Sequence, residues 1–133
     1  MEEDYKLSKA MKQILNYING KLIGPKNSNF IDVFNPSTGK IYAKCSNSST
    51  SDLNSAVISA NKAFNSWSKT SNEERSNILF KIANELEMNK EQFALAETID
   101  NGKPLNDSLK IDIPRAINNL KFYASAVINT SSD

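Results

Sequence analysis

The stretch DVFNPSTGKIYAKCSNSSTSDLNSAVISANKAFNSW, residues 32–67, changes its hydrophobic period halfway along, and that change decides the fold class. Its first part continues a strand that begins at Phe30 and runs to Phe34. Asn35-Pro36-Ser37-Thr38-Gly39 stops that strand. Pro36 fixes φ and lacks a donor, and Gly39 can take the left-handed position of a turn. Lys40 to Lys44 resumes as strand. From Ser51 the period becomes the helical one of about 3.6 residues. Leu53, Ala56, Val57, Ala60, Ala63, Phe64 and Trp67 fall on one face, so an amphipathic helix is expected, with Trp67 at the edge of the stripe and in the core. Without a partner surface larger than the short strands, the apolar helix faces are expected to leave an exposed patch. Ser51 is the expected N-cap, with Asp52 in the first turn.

On the amino-terminal side, ILNYINGKLI (14–23) reads as strand, turn and returning strand. Asn19-Gly20 is a strong hairpin signal, because both residues tolerate positive φ. Residues 1–13 are polar and are expected to be a flexible amino terminus. On the carboxyl side, Ser71 with Glu74 three residues on forms a capping box. It opens a helix with Ile78, Leu79, Ile82, Ala83 and Leu86 inward. Asn89 with Gln92 offers a second box, for a helix carrying Phe93, Ala96 and Ile99 inward. Gly102 closes that helix in the left-handed position. A last helix spans about Leu105 to Val127, interrupted near Asp112-Ile113-Pro114, where Pro114 removes a donor and Asp112 can cap a restart. The fold class is therefore α/β: a small antiparallel β unit followed by about four helices. There is no βαβ alternation, and so no complete nucleotide-binding unit of the doubly wound type.

The composition narrows the chemistry. The 133 residues suit one domain. Sixteen basic side chains face fifteen acidic ones, for a formal charge of +1, which advertises neither nucleic acid nor an anionic membrane. No apolar run approaches the roughly 20 residues that cross a bilayer. The opening MEEDYKLSK resembles neither a secretory signal nor a transit peptide, so a cytoplasmic location is the expectation. Histidine is absent, which removes the commonest general base and metal ligand. One cysteine, Cys45, allows no internal disulfide and no thiolate zinc site. Cys45 lies near a strand end, with Lys44 pointing to the opposite face, and reads as structural. Gly102-Lys103 reads as a helix end, not a phosphate loop. Glu97 and Asp100 stand three apart on one helix face, a spacing open to cation binding and equally common on solvated helices. Arg75 and Arg115 sit in first turns, where the helix dipole disfavours them. Each therefore calls for a specific partner or faces solvent.

Taken together, YINGKLI (17–23), DVFNPSTGKIYAK (32–44), DLNSAVISANKAFNSW (52–67), EERSNILFKIANELE (73–87) and LAETIDNGKPL (95–105) resemble the amino-terminal region of the aldehyde dehydrogenase superfamily, over about residues 14–130. DIPRAINNLKFYAS (112–125) looks like the subfamily that oxidises 2-aminomuconate or 2-hydroxymuconate semialdehyde. The resemblance implies that residues 14–133 are the incomplete amino-terminal part of a cofactor-binding domain, truncated before the dinucleotide-binding and catalytic motifs. Family members oxidise an aldehyde to a carboxylic acid with NAD or NADP. A cysteine attacks the carbonyl, hydride leaves to nicotinamide, and a glutamate activates the water that releases the acid. Those residues lie downstream in the family, and Cys45 matches no catalytic position.

The resemblance further implies a structural sodium or potassium site, with a carboxylate oxygen from Asp100 and backbone carbonyls near Val33 and Phe34. A helix-end carboxylate bonded to the Asn101-Gly102-Lys103 turn is the other reading of Asp100. The implied partners are the remainder of the dehydrogenase, or a full-length homologue, and in the complete enzyme a small aldehyde; neither nucleic acid nor membrane is expected. Tight NAD binding by this chain alone is not expected. A non-catalytic paralogue that docks on a full-length dehydrogenase, and a small helical domain of unrelated function, are the competing readings.

Overall fold

The computed structural model describes residues 11–129. The chain forms two compact units, one up to Asn65 and one from Ser66 onward.

The first unit holds five strands: β1 (Lys12–Ile14), β2 (Asn16–Ile18), β3 (Lys21–Ile23), β4 (Phe30–Asn35) and β5 (Lys40–Ser46). β2 and β3 are the expected hairpin, paired Tyr17 to Leu22. Its two-residue turn has Asn19 at φ 52° and Gly20 at φ 75°, the positive pair that matches the twist of the flanking strands. β4 and β5 are antiparallel, joined by the turn that the Asn-Pro-Ser-Thr-Gly run predicts. The Asn35 side chain accepts from the Ser37 N–H at 2.9 Å, the Asn35 carbonyl accepts from the Gly39 N–H at 2.8 Å, and Gly39 sits at φ 65°.

Two expectations fail here. The β unit is not wholly antiparallel, because β1 joins the outer side of β5 in parallel, giving the order β1-β5-β4. Lys12 and Gln13 consequently belong to a strand and not to a flexible terminus. The cause is tertiary: β5 offers an unpaired row of N–H and C=O groups, and a three-residue strand needs no pattern of its own to fill it. Residues 1–10 lie outside the described residues.

α1 (Thr50–Trp67) follows. It starts two residues earlier than an N-cap at Ser51 would place it, so Ser51 lies within its first turn. Ser49 stands before it, and the Asp52 carboxylate accepts from both the Ser49 N–H (2.8 Å) and the Ser49 hydroxyl (2.7 Å). The apolar stripe of α1 forms as spaced and is exposed: Leu53 is 61% and Phe64 62% exposed.

The second unit takes in the last residues of α1, then α2 (Asn72–Met88), α3 (Lys90–Asn101), the single turn α4 (Leu105–Asp107), a π-helical turn (Ser108–Asp112) and α5 (Ile113–Ile128). The Ser71–Glu74 capping box is present in full: Ser71 Oγ accepts from the Glu74 N–H, and Glu74 Oε2 accepts from the Ser71 N–H. The second box does not form. Asn89 Nδ2 donates back to the Glu85 carbonyl at 2.9 Å, closing α2 and leaving no side-chain cap on α3. Gly102 ends α3 at φ 79°, its N–H on the Thr98 carbonyl.

The expected interruption near Pro114 takes the form of the π turn. Pro114 has no N–H, and its ring would press on the carbonyl four residues back. The backbone widens instead, and the Ile113 N–H reaches five residues back to the Ser108 carbonyl. Asp112 does not cap α5; its carboxylate is taken by Lys103.

α2 packs against α5, and the core contains Ala83, Ala94, Ile113 and Ile117, with Leu86, Leu109 and Leu120 against it. The alanines let helix backbones approach closely. On α3 the buried residue is Ala94, while Phe93, expected inward, is exposed.

Candidate functional site

Three places gather polar or irregular groups, two in the first unit and one in the second. The first place is the join between Val33 and Phe34. Val33 pairs with Ala43 and Phe34 with Ile41, so the register slips by one residue there. Such a bulge breaks the even ladder and re-aims main-chain groups. The extra residue, Tyr42, belongs to β5. Close by, Asp32 and Lys44 form a cross-strand ion pair at 3.0 Å. Cys45 stands in the central strand between Ile14 and Ile31, a half-buried free thiol. Lys44 is bound to Asp32, away from that thiol, as expected for a structural cysteine.

The second place was not foreseen. Asp52 is 2% exposed and anchors the start of α1. One oxygen accepts from the Ser49 main chain and hydroxyl; the other accepts from the Lys26 N–H at 3.1 Å. The Lys26 ammonium donates to the Ser51 carbonyl, the Ser51 hydroxyl and the Ser55 hydroxyl. The Ser49 amide bond, then the Ser49 hydroxyl, then Lys26 hold the Asp52 carboxyl below its ordinary pKa against the opposing effect of burial. A buried carboxylate so satisfied is a fixed anchor, not a proton carrier. The sequence signal was present: Ser49 and Asp52 have capping-box spacing.

The third place is the end of α3. Asp100 is exposed there, two residues before the left-handed Gly102. Glu97, three residues earlier, is engaged within the helix end: Glu97 Oε1 accepts from Asn101 Nδ2 at 2.6 Å. Asn101 Oδ1 accepts from the Lys103 N–H at 3.0 Å. Lys103 Nζ donates to Asp112 Oδ2, and this bond foremost raises the lysine above its ordinary pKa. Thr98 and the fully buried Ser108 share a hydrogen bond at 3.0 Å just behind. Gly102-Lys103 is thus a helix end, as read from the sequence. Among the described residues no group of three or more Cys, Asp or Glu side chains is placed to hold a metal. A cation here would need main-chain carbonyls to complete its oxygen shell.

The arginines divide. Arg75 finds a backbone partner: its guanidinium donates to the Trp67 and Ser68 carbonyls and to the Thr70 hydroxyl, and lies 5.8 Å from the Trp67 ring centroid. It closes the carbonyl end of α1, where a cation is favoured. Trp67, 46% exposed, is therefore a lid under Arg75 and not core. Arg115 lies exposed on α5. No helix among the described residues is long and apolar enough to cross a membrane.

Comparison with known proteins agrees with the motifs. The aldehyde dehydrogenase family model matches residues 23–133. The 2-aminomuconic semialdehyde dehydrogenase of Danio rerio is 40% identical over 129 residues, covering 96% of this chain and 26% of the relative. The protein of the same name from Homo sapiens is 40% identical over 124 residues, covering 93% and 25%. The chain thus spans about a quarter of the length of the curated relatives it matches. Among solved structures, the NAD+ complex of an aldehyde dehydrogenase from Bacillus cereus superposes with a TM-score of 0.81 at 30% identity, covering 86% of this chain and 24% of that one. Indole-3-acetaldehyde dehydrogenase from P. syringae, in complex with NAD+ and IAA, gives 0.82 at 33%, covering 87% and 24%. By the family match across most of its length, this chain belongs to the aldehyde dehydrogenase family.

Proposed function

We propose that this chain is the opening segment of an NAD(P)-dependent aldehyde dehydrogenase and is inactive alone. The observation that carries the reading is the family match over residues 23–133 to relatives about four times as long. The nucleophilic cysteine and the nucleotide-binding β–α units expected of the family have no counterpart in these residues, and Cys45 is an interior strand residue. The substrate we favour is 2-aminomuconate semialdehyde, on the similarity to relatives of that name. NAD is the favoured cofactor of the whole enzyme, on the NAD+ complexes of similar proteins. Residues 14–133 would then be part of the cofactor-binding domain, in a cytoplasmic protein, without nucleic acid or membrane as partner.

The partner of this segment is the remainder of the dehydrogenase. The exposed stripe of α1 supports this, since an amphipathic helix is stabilised chiefly by burying its apolar face. A structural sodium or potassium ion held by Asp100 and by carbonyls near Val33 and Phe34 is part of the same reading. The donor chemistry fits a hard cation, and the bulge at Val33 and Phe34 leaves the ladder irregular where carbonyls are required.

The purified chain, given NAD and an aldehyde, is expected to form no NADH. Formation of NADH that disappears in Cys45→Ser would overturn the proposal. The second reading, a paralogue that docks on a full-length dehydrogenase, rests on the same exposed stripe. Co-purification with a full-length homologue, abolished by Val57→Glu, is the result it expects.

A further inference from the structure

We draw no further inference here: the strongest candidate, the groove of the first unit lined by Tyr17, Ile18, Leu53 and Ala56 beside the unpartnered Asn16 Nδ2, belongs to the apolar surface already given to the rest of the dehydrogenase, and nothing in the structure shows what else covers it.

Discussion

Among the described residues up to Asn65, Pro25 and Ala43 are the buried apolar residues; from Ser66 onward Ala83, Ala94, Ile113, Ile117 and Ala124 are all buried. Yet the first unit is not poor in apolar residues. Tyr17, Leu22, Ile31, Phe34, Leu53 and Phe64 are all largely exposed. What holds it is hydrogen bonding: three strand ladders, turns with left-handed residues, and the Asp52 anchor. The second unit is held by packing between α2 and α5. The difference teaches that correct local structure and a core are separate achievements. A ladder fixes where strands go, but most of the free energy of a fold comes from apolar burial.

The largest expected effect tests that contrast directly. Ile117→Ala removes a side chain that is 5% exposed and should cost about 2–5 kcal/mol in chemical denaturation. Val57→Ala on α1 should change stability by no more than about 0.5 kcal/mol. Equal costs would show that the stripe of α1 is buried in solution, and the contrast between the units would fail.

Next in size is the Asp52 anchor. Its folded pKa lies below the ordinary value near 3.8, so its contribution is complete above that value and is lost as pH falls through the folded one. The protection factors of the Lys26 and Ser49 amides, taken against the intrinsic exchange rate at each pH, should therefore fall on acidification below about pH 4, while α2 and α5 keep theirs. Asp52→Asn should expose the same amides already at neutral pH, and its difference from the wild-type chain should shrink in acid. A variant with wild-type exchange at Lys26 would remove the anchor from the account of the first unit.

Ser71→Ala, which opens the second unit's capping box, should cost about 1 kcal/mol. The smallest effect is expected at Glu87, whose carboxyl is held below its usual range first by the hydrogen bond from Lys121. The pair is exposed, so Glu87→Gln should shift the melting temperature slightly, and added salt should erase the shift. A shift as large as that of Ile117→Ala would mean that surface charge, and not packing, dominates the helical unit.

The same contrast explains what the sequence could tell. Asn19-Gly20, the Asn35–Gly39 turn, Ser71 with Glu74 and Gly102 were all readable, because each is a local rule satisfied within a few residues. The parallel β1 was not, since Lys12 and Gln13 carry no pattern and are strand only because β5 is there. The bond from Lys26 to Asp52 spans 26 positions, and no spacing rule reaches that far. Periodicity found the stripe on α1 but could not say whether anything lies on it. Of the candidate cation residues, Asp100 falls at the end of α3 as its helix pattern requires. The bulge beside Val33 and Phe34 depends on how β4 meets β5, which neither strand encodes alone.

The wide turn between Ser108 and Asp112 is a built-in phase correction. It lets one more residue into a coil than even winding would hold. Deleting a single residue there should restore regular winding and leave the coils on either side near their present phase, because the wide turn already takes up the extra residue. Deleting one from the first turn of α5, with the wide turn kept, would instead swing everything upstream round the axis by one residue step, about 100°. α5 could stay seated on α2, but Ser108 would leave Thr98 and the Lys103 tether would lose its end. For this segment, a one-residue deletion beside the wide turn, and not within it, would be a rotation of one half of a rod against the other.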